Sequence, residues 1–173
     1  MPRFLNRSPF SDMPSELSFR DERIRIRADQ MIVWMSITIE RITSPNPSAT
    51  PFPVILDTGH NHSFSMHEDH LLRWAGLRIE SLARLSAVRD RGQRIPLRAA
   101  NLWCYPNVAG MRDQLEECPP LRVSAPIEIA IYSGAIFPRL PILGLRAIAE
   151  NRLILKVNGP RREATLRTPF FGW

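Results

Sequence analysis

Lysine is nearly absent from this chain: among its 23 basic residues only Lys156 is not an arginine. Against 17 acidic residues the formal charge is +6, yet no block of five or six like charges occurs, which argues against a basic tail dedicated to nucleic acid. Cysteine is as scarce. Cys104 and Cys118 are alone and form no Cys-x-x-Cys pair, so two free thiols in a reducing compartment are expected. Long apolar runs are also missing. Met31 to Ile39 falls far short of the ~20 residues of a membrane span, and Met1 to Arg20 carries no apolar stretch of a signal peptide. The expected compartment is the cytoplasm, with no membrane and no nucleic acid among the partners. Glycine, at eight against sixteen prolines, points to short strands broken by loops rather than long helices. With 173 residues, 44% of them hydrophobic, the chain suits one domain with extensions.

What is present reads as mainly β. Residues 1–20 are polar and without a period, and read as a disordered N-terminal arm; residues 21–168 form the domain and 169–173 an aromatic tail. Arg23-Ile24-Arg25-Ile26-Arg27 alternates strictly, a half-exposed strand with arginines on its outer face. Met31 to Glu40 is apolar enough for a sheet centre. Thr43 to Pro53 is a proline-rich loop. Ser65-Met66-His67-Glu68 has the form of a capping box for a short helix beginning near Met66 and closed by Gly76. Leu82 to Arg89 and Ile95 to Tyr105 are two strands joined by Asp90-Arg91-Gly92-Gln93. Pro106 to Pro120 is a loop with a helical turn at Arg112 to Glu117. Pro126 to Tyr132 is a strand, Gly144 to Asn151 a helix, and Leu153 to Thr168 a closing hairpin around Asn158-Gly159. The tail Phe170-Phe171-Gly172-Trp173 is costly to leave in water and suggests contact with a second subunit.

The candidate site lies at Pro53-Val54-Ile55-Leu56-Asp57-Thr58-Gly59. Here an apolar strand delivers a carboxylate into a tight turn, where partial desolvation would favour its protonated form. The simplest reading of Asp57 is a turn residue or cap. Taken with Leu140-Pro141-Ile142-Leu143-Gly144, however, the Asp-Thr-Gly turn resembles the active-site loop of the retropepsin-like aspartic peptidases over roughly residues 30–168. That resemblance implies a closed β-barrel of the retropepsin-like (acid protease) type with one or two short helices. It also implies an aspartic endopeptidase acting as a homodimer on a peptide or protein substrate, with no cofactor and no metal.

In that family two aspartates about 3 Å apart cannot both ionise, so one takes a proton from water while the other polarises the scissile carbonyl. One chain supplies one of them, so Asp57 would face its copy across a twofold axis. Thr58, Gly59 and His60 would complete the loop, and Asn61, His62 and Ser63 would border the cleft. Arg91, Gly92 and Gln93 would form the flap tip, and Ile142, Leu143 and Gly144 would support the loop from behind. His60 departs from the family, which has a small residue there. Its bulk, or its charge at low pH, would disturb the dyad. A catalytically inactive relative, kept as a peptide-binding or assembly module, is the alternative. A metal site is a third reading, because His60, His62, His67 and His70 all fall within eleven residues of one another, although their spacing fits no ordinary zinc motif.

Overall fold

A computed structural model describes residues 2–90, 92–123, 126–134 and 139–169. The chain opens with β1 (Arg3–Pro9), followed by the hairpin β2 (Ser15–Phe19) and β3 (Glu22–Ile26). Next come β4 (Met31–Ile39), β5 (Phe52–Asp57), β6 (Phe64–His67) and helix α1 (Glu68–Ala75). The long hairpin β7 (Ala83–Asp90) and β8 (Gln93–Tyr105) precedes the short β9 (Leu121–Arg122) and β10 (Ile127–Tyr132). The chain closes with β11 (Ile142–Gly144), α2 (Leu145–Glu150), β12 (Ile154–Asn158) and β13 (Glu163–Arg167).

The single closed barrel implied by the retropepsin resemblance is not the architecture found. The strands divide among three sheets: an eight-stranded mixed sheet, a three-stranded sheet in the order β1-β13-β12, and the β2-β3 hairpin. Within the mixed sheet β5 pairs in parallel with β11, and β6 in parallel with β10, while β4 is antiparallel to both β5 and β8. The physical reason lies in the two chain ends. Before residue 30 the chain already forms three strands, and β12 and β13, expected within the barrel, join β1 instead of the mixed sheet.

The N-terminal segment accounts for much of this difference. The arm expected to be disordered is instead strand, because it carries apolar side chains with somewhere to go. Phe4, Leu5, Leu17 and Phe19 are buried. Phe19 packs edge-on against Trp74 at 5.2 Å and lies 6.1 Å from Trp34. Buried Asn107 ties β1 to the loop after β8: its Oδ1 accepts from Asn6 N at 2.7 Å, and its Nδ2 donates to Asn6 O at 2.9 Å. A buried backbone segment needs such partners.

β4 is buried along nearly its whole length, as its run of Ile32, Val33, Trp34, Met35 and Ile37 requires, and both of its edges are paired. Phe52 and Phe64, fully buried, anchor the core beside it. Each such side chain contributes ~1.5–3 kcal/mol relative to exposure. Two local expectations shift. Ser65 lies in β6, so the helix starts later, with His67 as its N-cap accepting from Asp69 N, and ends at Gly76 in the left-handed region (φ 67°). Residues 112–117 form no helical turn; the loop is held by a bridge between Asn107 and Leu115. The aromatic tail, 170–173, lies outside the described residues.

Candidate functional site

Asp57 is the last residue of β5, and its side chain is exposed. Its Oδ1 accepts a hydrogen bond from Gly59 N at 2.8 Å, the geometry of an Asx turn. Thr58 and Gly59 are exposed in that turn. The chain then passes over β11 instead of away from it. Gly144, paired in register with Asp57, donates its backbone N–H to Ser63 O at 3.0 Å. A Cβ added at Gly144 would stand 2.0 Å from His62 O and 2.8 Å from His60 O. Glycine is therefore required there by close approach of the loop backbone, and buried Ile142 and Leu143 fix the strand that presents it.

The histidines of this loop turn inward. His60 Nε2 lies 2.6 Å from Ser65 Oγ, and burial, reinforced by neighbouring His62 and opposed by Asp57 and Asp90, pushes its pKa below the ordinary value. His62 meets His60 and Tyr132 edge-on at 5.6 and 6.3 Å. Asn61 is exposed, whereas Ser63 is buried and donates from Oγ to Glu150 Oε2 at 3.1 Å. Tyr132 in turn donates to Asp90 Oδ2 at 3.0 Å, tying the end of β7 to the loop. Gly92 (φ 81°) and Gln93 are exposed at the hairpin turn, and Arg91 lies outside the described residues. Sequence reasoning did not single out Asp90, Tyr132 or Glu150, and no motif marks them.

On the other side of Asp57 lies a groove of about 560 Å³. Its apolar floor is Ile55, Leu140 and Ile142, and Arg25, Arg27 and Arg139 line it together with Asp57. Arg25 and Arg27 reach it because the alternation of β3 buries Ile24 and Ile26 and turns the arginines outward. The only sequence signal for them was that alternation. None of the three guanidinium groups makes an ion pair among the described residues, so the groove is a cationic cleft around one carboxylate.

This geometry overturns the peptidase reading. Hydrolysis by aspartates needs a second carboxylate about 3 Å from the first. That second carboxylate would come from another copy of the chain, so what counts against the reading is the fold around Asp57. The strands divide among three sheets instead of one barrel, and Asp57 is an exposed turn residue whose Oδ1 is taken by the backbone of its own turn. No group of three or more His, Cys, Asp or Glu among those residues is placed to hold a metal ion. The four clustered histidines are spread over the inward loop (His60 and His62), the end of β6 (His67) and α1, where His70 stacks on Trp74 at 4.0 Å. Nor is any helix among the described residues long and apolar enough to cross a membrane. The retropepsin resemblance thus rests on short motifs alone: no family model matches the chain, and no curated protein matches it.

Proposed function

We propose that this chain is a non-catalytic peptide-binding module whose groove beside Asp57 takes an extended segment bearing carboxylates. The observation that carries this reading is the grouping of Arg25, Arg27 and Arg139, without ion-pair partners among the described residues, over the apolar floor of Ile55, Leu140 and Ile142. The arginines present planar donor forks suited to carboxylates, and the floor accepts apolar side chains between them. Asp57 belongs to the turn and repels such a ligand.

The test is peptide binding measured by fluorescence anisotropy, with acidic peptides set against their Asn and Gln counterparts. Arg25→Gln combined with Arg27→Gln weakens acidic-peptide binding about tenfold, the loss of two partly exposed ion pairs of up to ~1 kcal/mol each. Asp57→Asn keeps the turn, since an amide oxygen also accepts from Gly59 N, and leaves binding unchanged or tighter. Equal affinity for acidic and neutral peptides, or binding lost in Asp57→Asn, would refute the proposal.

A further inference from the structure

The three-stranded sheet presents a second cationic surface, unrelated to the groove. In β13, Ala164 and Leu166 are buried at 1% exposure each, so Glu163, Thr165 and Arg167 face outward. Register places the rest. Lys156 of β12 sits opposite Thr165, and Arg3 of β1 opposite Arg167. Arg7 joins them where β1 bulges: its backbone N donates to Thr165 Oγ1 at 3.3 Å. Arg161 borders the same depression, of about 310 Å³, from the turn between β12 and β13. Five cations thus share one face with a single carboxylate, Glu163. Arg3, Arg7, Lys156 and Arg161 are exposed and make no ion pair among the described residues.

The fold bears a cost for this arrangement. Arg3 and Arg167 oppose each other directly across a strand pair, where like charges are destabilising. Arg7 holds a left-handed backbone (φ 45°), an uncommon conformation for a side chain of its size. Among the described residues no aromatic lines the depression, and its charged and polar lining suits a phosphate backbone. Ile154 is the one large exposed apolar residue that the β12 alternation puts on this face, which is too little for insertion into lipid.

We propose that the outer face of the β1-β13-β12 sheet binds the phosphate backbone of a duplex nucleic acid, without reading its sequence. Guanidinium and ammonium groups neutralise successive phosphates, and affinity then falls with salt by a log–log slope of ~0.9 per phosphate contact. Binding of a fluorescein-labelled 20-base-pair DNA of mixed sequence is measured by anisotropy across a salt series, for the full chain and two charge-matched variants. Removing Arg3 and Lys156 together, as R3Q and K156Q, lowers the slope by ~1.8 and the low-salt affinity by at least tenfold.

The control pair R41Q and R84Q, from the turn after β4 and from β7, removes the same charge at exposed positions outside both cationic surfaces and leaves slope and affinity unchanged. Equal losses in the two variants would show that net charge alone attracts the DNA and would overturn the site. So would competition by poly-glutamate as effective as that by unlabelled DNA, or binding to phosphatidylserine vesicles with none to DNA. Circular dichroism of the R3Q/K156Q variant confirms that lost binding is not lost fold.

Discussion

Gly144→Ala tests the local architecture most sharply, because the substitution is refused by space and not by backbone angles. Gly144 has φ −90° and ψ 168°, extended values that alanine adopts freely. In that conformation alanine would be mildly favoured through the unfolded chain, by about 0.4–1 kcal/mol. Its methyl, however, would stand 2.0 Å from His62 O and 2.8 Å from His60 O, and both obstacles are backbone. Relief requires lifting the 60–62 segment off β11. Overpacking of this kind costs about 1–3 kcal/mol, and stretching the Gly144 N to Ser63 O bond adds about 0.5–1.5 kcal/mol.

Set against the unfolded-state gain, the net loss is about 0.5–4 kcal/mol, and its centre of ~2 kcal/mol lowers Tm by roughly 4–8 °C for a chain of this length. Urea titration and thermal unfolding followed by circular dichroism read this directly. Because the displaced loop carries His60, nuclear magnetic resonance should also show its imidazole pKa rising toward the ordinary value as burial is lost. A variant within about 1 °C of wild type, with His60 unmoved, would refute the claim that the loop backbone closes on β11.

Two further outcomes follow from burial. The His70 ring, stacked on Trp74, has its pKa pushed down to about 4 by burial and then by neighbouring His67, with Asp69 opposing. The unfolded chain takes up this proton near 6.5, so the stabilisation is complete above that pH and is lost as pH falls toward 4. His70→Phe keeps the stacking, removes an Nδ1 that has no hydrogen-bond partner among the described residues, and flattens stability between pH 6.5 and 4; an unchanged slope in urea titrations at stepped pH would count against it. The thiols should also separate: burial raises the Cys104 pKa far above its ordinary value, whereas Cys118 is exposed, its pKa raised by slight burial and by Glu116. Iodoacetamide near pH 8, followed by mass spectrometry, should label Cys118 alone until urea unfolds the protein, and native labelling of Cys104 would contradict its placement in the core.

Local pattern carried the elements whose signal is complete within a few residues. The alternation of β3, the apolar run of β4, the Gly92 turn between β7 and β8, and the β12-β13 hairpin all lie close to where periodicity and turn chemistry put them. The turn and cap reading of Asp57 was also legible, since an Asx turn needs only residues 57–59. Motif likeness misled, because Asp-Thr-Gly with Ile-Leu-Gly specifies a turn beside a strand and says nothing of a second carboxylate or of how the chain ends pair.

By itself, then, the sequence determined the strand-rich composition, the outward row Arg23, Arg25 and Arg27, and the glycines that local turns demand. Tertiary structure decided what those residues face. Phe4, Leu17 and Phe19 looked like scattered apolar residues in a polar arm until Trp34, Trp74 and the C-terminal strand gave them a core to enter. Gly144 carries no positive φ, and its necessity comes from a loop more than eighty residues earlier in the chain. Charge behaved in the same way. No window of the chain shows a basic run, yet Arg3 and Arg7 from one end meet Lys156, Arg161 and Arg167 from the other. Coulomb interactions depend on distance in space, and strand register sets that distance.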